Sequence, residues 1–304
     1  MVLILGVTGS GKGRLAISLA ESMGGEIISI DSMKVYRRMD IGTAKPSAAF
    51  RERVKYHLID VVEPSESFSV GRFLELGYEA IEQIRERKRP VVAVGGTALY
   101  IKALLYGLFE GPGSDEKIRA ELRSRERSEG LGELYRQLET VDPAAAGNIH
   151  PNDSKRIIRA LEVYLLTGER ISSLQQQFDA ERPVHDWRII GLGRERAVEN
   201  SRINARVKRM IDSGLVEEVR SLLTEDKPLS EQACCAIGYA EIIEHLAGRM
   251  SLEEAVEMIK KNTRRLAKNQ RTWFKSFRGV DWLDIESEES EEEIFDRAKR
   301  LLGT

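Results

Sequence analysis

Val2-Leu3-Ile4-Leu5 runs directly into Gly6-Val7-Thr8-Gly9-Ser10-Gly11-Lys12-Gly13, and a helix-forming stretch follows from Arg14. An apolar strand, a glycine-rich turn ending in lysine and then a helix is the order that builds a phosphate-binding loop. Glycines let backbone N–H groups converge on one point. The helix adds the positive end of its dipole, and Lys12 adds a point charge. The stretch therefore predicts a diphosphate or triphosphate site formed by Gly6, Thr8, Gly9, Ser10, Gly11, Lys12 and Gly13. A purely structural strand-to-helix turn is the competing reading, but it needs neither the lysine nor so many glycines. One position departs from the pattern. Its last residue is usually Ser or Thr, whose hydroxyl ligates Mg²⁺; Gly13 has nothing to ligate with.

Outward from this loop, residues 15–23 read as a helix closed by Gly24-Gly25. Residues 26–31 and 57–62 read as strands. Residues 68–87 carry Phe73, Leu76, Ala80, Ile81 and Ile84 at helical spacing. The run 90–94 is continuously apolar, as in a strand buried on both faces, and 99–108 reads as a helix. Strands alternating with helices predict an α/β fold, a P-loop NTPase-like parallel sheet flanked by helices. The pattern changes at Gly111-Pro112-Gly113-Ser114. From 115 to about 177 only helices are predicted, at 116–129, 131–139, 143–147 and 153–166, and Arg182-Pro183 breaks that stretch. A strand returns at 187–192. Helices follow at 198–213, 216–223, 234–246 and 252–273, then a last strand at 281–285. The acidic run 286–293 reads as the solvated start of a helix over 294–302. The expected organisation is a discontinuous core, 1–112 and 185–304, interrupted by an all-helical insertion, 113–184.

The chain has 304 residues, 41% hydrophobic and 32% charged, which fits a globular protein. No apolar run is long enough to span a bilayer, and no basic-then-apolar leader opens the chain, so a cytoplasmic protein without membrane contact is expected. The two cysteines, Cys234 and Cys235, are adjacent and pair poorly with each other, which suits a reducing compartment. With four scattered histidines they make no zinc ligand set. Net charge is −2, but the distribution is uneven. Residues 260–278 contain no acid and eight bases, among them Lys268 and Arg271. Such a helix suggests a polyanionic partner; a solvated helix face is the plainer alternative.

Ligands of an open parallel sheet sit at the carboxyl ends of its strands. Three such ends carry polar groups: the phosphate loop, Asp31-Ser32 and Thr97. Asp31 is either a helix cap, over 33–38, or a general base or substrate-orienting acceptor. Thr97 is either a cap for the following helix or part of the crevice. Asp40-Ile41-Gly42-Thr43-Ala44-Lys45-Pro46 reads either as a loop lining a polyanion site or as a surface turn.

Taken in order, several segments resemble the tRNA dimethylallyltransferases, also called tRNA isopentenyltransferases. They are the loop from Gly6 to Lys12, Ser29-Ile30-Asp31-Ser32-Met33-Lys34-Val35-Tyr36, residues 39–46, His57-Leu58-Ile59-Asp60 and Gly95-Gly96-Thr97-Ala98-Leu99-Tyr100. Further along come Ile149-His150-Pro151-Asn152-Asp153, Arg159-Ala160-Leu161-Glu162, Ile237-Gly238-Tyr239 and residues 263–274. The resemblance implies transfer of a dimethylallyl group from dimethylallyl diphosphate to the exocyclic N6 amine of the adenosine 3′-adjacent to the tRNA anticodon. It implies Asp31 as the base, with Thr97 beside it and Lys12 on the leaving diphosphate. Arg202 or Arg206 would clamp that diphosphate. Asp31, Ser32, Met33 and Lys34, then Lys155, Arg156 and Arg159, then Cys235, Gly238 and Tyr239, would line the RNA path. Lys268 and Arg271 would meet phosphates, with Trp273 and Phe274 anchoring their helix in the core. Mg²⁺ is implied, held through the diphosphate because of Gly13. The partners implied are the tRNA anticodon stem-loop and dimethylallyl diphosphate, with the enzyme acting as a monomer. Lys34 stands where a glutamine is common, and Cys235 and Asn269 stand where a polar residue and an arginine often occur. The rival readings are a small-molecule kinase, whose metal would need a hydroxyl after Lys12, and an RNA-binding homologue with impaired catalysis.

Overall fold

The opening strand β1 (Val2–Gly6) is buried along its whole length because it lies inside a six-stranded sheet of order β3-β2-β4-β1-β5-β6. The other strands are β2 (Glu26–Ile30), β3 (Tyr56–His57), β4 (Val91–Gly95), β5 (Arg188–Arg194) and β6 (Val280–Ile285). Every pairing is parallel. In this computed structural model the described residues are 1–108, 111–174 and 183–303.

β1, β2 and β4 are buried on both faces because helices cover both sides of the sheet; β1 and β4 are apolar throughout, and β2 carries buried Glu26 and Ser29. Helix α1 (Lys12–Met23) returns from the phosphate loop and ends at Gly24, whose φ of 63° is left-handed. Helix α2 (Ala48–Arg53) precedes β3. Helix α3 (Val70–Glu86) starts at Ser69, which accepts from the Arg72 N–H, and buries Phe73, Ala80, Ile81 and Ile84. Helix α4 (Ala98–Tyr106) follows β4 directly. After β5 come α10 (Arg196–Asp212), α11 (Leu215–Leu223), α12 (Glu231–Cys234), α13 (Tyr239–Leu246) and α14 (Leu252–Phe274), with α15 (Glu291–Leu302) after β6. Ser251 with Glu254 and Ser290 with Glu293 form capping boxes at the starts of α14 and α15.

Two compact units emerge, Met1–Leu105 with Val184–Thr304, and Tyr106–Pro183. The second is helical: α5 (Glu116–Glu129), α6 (Leu131–Val141), α7 (Pro143–Asn148), α8 (Ser154–Thr167) and α9 (Ile171–Leu174). Leu122, Leu134, Leu138, Ile157 and Leu161 make its own core. Residues 175–177 and Arg182, which belong to the helical run and break read from the sequence, lie outside the described residues.

Three expectations need correction. No helix forms over 33–38; the chain makes turns there and bridges Tyr36 to Val62. The strand expected over 57–62 is only two residues long, because Leu58 and Asp60 take φ values of 62° and 57° that no strand accommodates. The helix expected over 234–246 is split into α12 and α13 at Gly238, whose φ is 98°.

The strand order decides where the site lies. Leu5 and Ile30 each pair with Gly95, so β1, β4 and β2 end side by side. The loops that follow them carry the phosphate motif, Thr97 and Asp31.

Candidate functional site

Gly9 and Gly11 take φ values of 88° and 101°, so the phosphate loop curls in a way that a side chain would resist. A Cβ on Gly6 would come within 2.6 Å of Ser10 Oγ. Three loop carbonyls are drawn to cations. Lys12 Nζ donates to Val7 O (3.1 Å), Arg202 Nε to Gly9 O (2.8 Å) and Arg194 Nε to Ser10 O (3.0 Å). The N–H groups of Gly9, Gly11 and Gly13 keep no acceptor among the described residues, so they remain available to an anion. Arg206 Nη1 donates to Thr8 Oγ1 (3.1 Å). Arg202 and Arg194 both bring a guanidinium nitrogen to within 3.8 and 3.9 Å of where a Gly11 Cβ would lie. Arg202 and Arg206 are thus both at the loop, spaced one helical turn apart on α10. Arg194 was not foreseen; its position as the last residue of β5, at a strand's carboxyl end, was the signal available.

Lys12 is pushed down to about 7, by burial first and then by the neighbouring charges of Arg206 and Lys34, with Asp31 opposing. Burial also lowers Lys34; there Asp31 opposes and Arg206 and Lys45 add to the effect. A cradle whose cations disfavour one another's charge is one that binds a polyanion favourably, because the anion relieves that repulsion.

Asp31 belongs to the same cluster. Its Oδ1 accepts from the N–H groups of Met33 (2.9 Å) and Lys34 (3.1 Å), which is the capping geometry without a helix behind it. Its Oδ2 has no hydrogen-bond partner among the described residues. Thr97 Oγ1 accepts from the Ser32 N–H (3.3 Å) and so ties the β4 loop to the β2 loop. Gln270, also unforeseen, ties the β4 loop to the phosphate loop. Its Oε1 accepts from the Thr8 N–H (2.8 Å) and its Nε2 donates to Gly96 O (2.9 Å).

Gly13 is exposed, with no heavy atom within 4 Å of where a Cβ would sit. Among the described residues there is no cluster of three His, Cys, Asp or Glu side chains able to hold a metal. The described residues build no protein shell for Mg²⁺.

The residues expected on the RNA path divide in two. Lys155, Arg156, Cys235 and Lys268 are exposed, and Ser32, Met33 and Lys34 are partly so. Four others are otherwise engaged. Arg159 donates to Gly113 O (3.1 Å), Pro112 O (2.7 Å) and Glu162 Oε2 (2.7 Å), fastening the start of the helical unit. Arg271 pairs with buried Glu199. Tyr239 is fully buried, its hydroxyl donating to Glu218 Oε1 (2.6 Å), and Gly238 is buried with its N–H on Glu241 Oε2 (2.7 Å). Lys45 is likewise not on offer to a polyanion: it is 2% exposed and pairs with Asp40 and Asp60, each at 2.6 Å. Phe274 is buried as expected, but Trp273 is 38% exposed and does not anchor α14.

Residues 34–277 match the family model described as IPP transferase. The chain is similar to a tRNA dimethylallyltransferase of Geobacter metallireducens, 48% identical over 285 residues, which span 93% of this chain and 92% of the relative. A tRNA dimethylallyltransferase of Acetivibrio thermocellus is 42% identical over 305 residues, 100% of this chain and 97% of the relative. Among solved structures, the full-length tRNA isopentenylpyrophosphate transferase of Bacillus halodurans superposes with a TM-score of 0.73 at 40% identity, covering 99% of this chain and 95% of that one. A eukaryotic dimethylallyltransferase captured acting on tRNA gives 0.83 at 29% identity, over 98% of this chain and 77% of that one.

Proposed function

This chain belongs to the IPP transferase family, and from that premise we propose that it transfers a dimethylallyl group from dimethylallyl diphosphate to N6 of the adenosine 3′-adjacent to a tRNA anticodon. The observation that carries this reading is the pairing of an N–H-rich, cation-backed loop with a carboxylate whose Oδ2 is free at the neighbouring strand end. An exocyclic adenine amine is a weak nucleophile, so its proton must be accepted as the new bond forms. The N6 lone pair attacks C1 of the dimethylallyl group. The C1–O bond breaks and its electron pair leaves with the diphosphate. The N6 proton passes to Asp31 Oδ2. Lys12, Arg202, Arg206 and the loop N–H groups stabilise the charge that grows on the departing diphosphate. A divalent ion bound to the diphosphate would neutralise part of the same charge.

The target base is stacked in the anticodon loop and must be splayed out to reach Asp31. Exposed Lys155, Arg156 and Lys268 supply phosphate contacts that hold the RNA without reading its sequence. A kinase reading is disfavoured at Gly13, where no hydroxyl stands to hold the metal of a nucleoside triphosphate.

The test is mass spectrometry of nucleosides after incubation with unmodified tRNA and dimethylallyl diphosphate. N6-dimethylallyladenosine should appear. Asp31→Ala should lower turnover by about 10²–10⁴-fold while stem-loop affinity holds. Full activity in that variant would remove Asp31 from the role of base.

A further inference from the structure

Helix α14 buries Ala255, Ile259, Ala267, Gln270 and Phe274. Gln270 is the polar member of that face, 9% exposed, and its amide lies between two loops of the site. A backbone N–H cannot accept and a carbonyl cannot donate, so the amide has one orientation: Oε1 on the Thr8 N–H at 2.8 Å, Nε2 on Gly96 O at 2.9 Å. Gly96 leaves the room for this, since a Cβ there would lie 2.6 Å from Nε2. The next residue, Thr97, accepts from the Ser32 N–H at 3.3 Å, and Ser32 adjoins Asp31. The path therefore runs from the phosphate loop through Gln270 to the β4 loop, and through Thr97 to the turn that presents the carboxylate.

Strand pairing joins β1, β4 and β2 only as far as Leu5, Gly95 and Ile30. Beyond those residues, among the described residues, no ladder keeps the loops in register. The hydrogen bonds through Gln270 and Thr97 are what spans them there. We propose that Gln270 is a positioning residue for the transfer, fixing the span between the diphosphate cradle and the Asp31 carboxylate. This rests on the prenyl-transfer reading above. Gln270 touches neither substrate; it acts through Thr8 and Gly96. Bond making at N6 and bond breaking at C1 occur in one transition state, so an error in that span costs rate more than it costs binding.

Gln270→Met in the full chain keeps the side-chain length and removes both links. With wild-type transfer to a stem-loop as reference, kcat should fall about 10- to 100-fold, with KM for dimethylallyl diphosphate and for the stem-loop near wild type. Calorimetry with inorganic diphosphate should show the cradle still binding. Combining Gln270→Met with Thr97→Val should cost no more than the larger single change, because both cut one path. Wild-type kcat, multiplying losses or an abolished diphosphate site would each overturn the proposal. Should Gln270→Met fail to fold, Gly96→Ala displaces the amide while keeping it, and the same fall in kcat is expected; wild-type kcat in folded Gly96→Ala overturns the proposal equally. A wild-type chain that transfers nothing fails the prenyl-transfer reading itself, a result distinct from any variant's.

Discussion

Lys12 at about 7 is a lysine that is only partly charged in the free protein at neutral pH. Diphosphate favours its charged form, so binding above that value must draw a proton onto the lysine. Calorimetry of inorganic diphosphate at pH 8, in buffers of different ionisation heat, should register this proton uptake, and Lys12→Met should lose it. The same shift sets the direction of a stability change. Between about 7 and the unfolded lysine's value of about 10.4, the unfolded chain holds a proton that the folded chain lacks, so the ligand-free protein gains stability as pH rises through that window. Gly13 offers a second test. Its surroundings are open, so Gly13→Thr adds the missing hydroxyl without a clash. Diphosphate affinity in Mg²⁺ relative to chelator should rise about tenfold, worth about 1.4 kcal/mol. An unchanged ratio would mean that the metal is held without position 13. The loop was legible at this scale because it is local: its strand, glycines, lysine and helix are contiguous in sequence. Arg194 and Gln270 were not, because each reaches the loop from a distant segment, and only the folded chain, with β5 paired to β1 and α14 packed behind the loop, brings Arg194 Nε to Ser10 O and Gln270 Oε1 to the Thr8 N–H.

At the scale of the element, α14 shows why a basic composition does not say which bases are free. Lys261, Arg265, Lys268 and Lys275 recur at helical spacing and are exposed, forming one stripe. Arg271, three residues after Lys268 and four before Lys275, borders that stripe but is tied to Glu199, whose side chain is 3% exposed. Periodicity could separate the faces of the helix; it could not name Glu199, which sits on α10. Lys268→Ala should weaken binding of an anticodon stem-loop and lower the slope of log affinity against log salt by about 1, with the melting temperature unchanged. Arg271→Ala should leave that slope alone and destabilise the fold by about 3 kcal/mol in a denaturant titration, because it strands a buried carboxylate. The opposite assignment of the two effects would place Arg271 in the RNA interface. Element boundaries were read well where a cap or an apolar face marked them, as at Ser69 and Gly24, whereas α15 begins at Glu291, three residues before the expected 294. They failed at 33–38 and 57–62, where Asp31, Leu58 and Asp60 impose turns that no apolar spacing betrays.

On the scale of the whole molecule, the helical excursion from the sheet unit leaves and returns at one point. The Val184 N–H donates to Leu105 O at 2.7 Å, so a long insertion begins and ends across a single hydrogen bond. The excursion carries its own apolar core and its own buried charge, Glu162, met by Arg119, Arg159 and the Asp115 N–H. The switch from alternating strands and helices to helices alone is the sequence feature behind the insertion expected over 113–184, since a parallel sheet needs strands at short intervals and none are offered between Pro112 and Pro183. It follows that the loop-bearing sheet should survive removal of the excursion. Replacing residues 107–182 by a short glycine–serine linker should leave a folded protein that binds inorganic diphosphate within a few-fold of wild type, the closure of a short loop costing little. Stem-loop affinity should drop about 10- to 100-fold as the phosphate contacts proposed for Lys155 and Arg156 are lost, each such base being worth a share of a salt-sensitive total. Transfer should fall with it and should be partly restored by raising the stem-loop concentration. Calorimetry, filter binding at two salt concentrations and nucleoside mass spectrometry read these three quantities separately. A trimmed protein that modifies the stem-loop at the wild-type rate under dilute RNA would mean that the helical unit takes no part in holding tRNA.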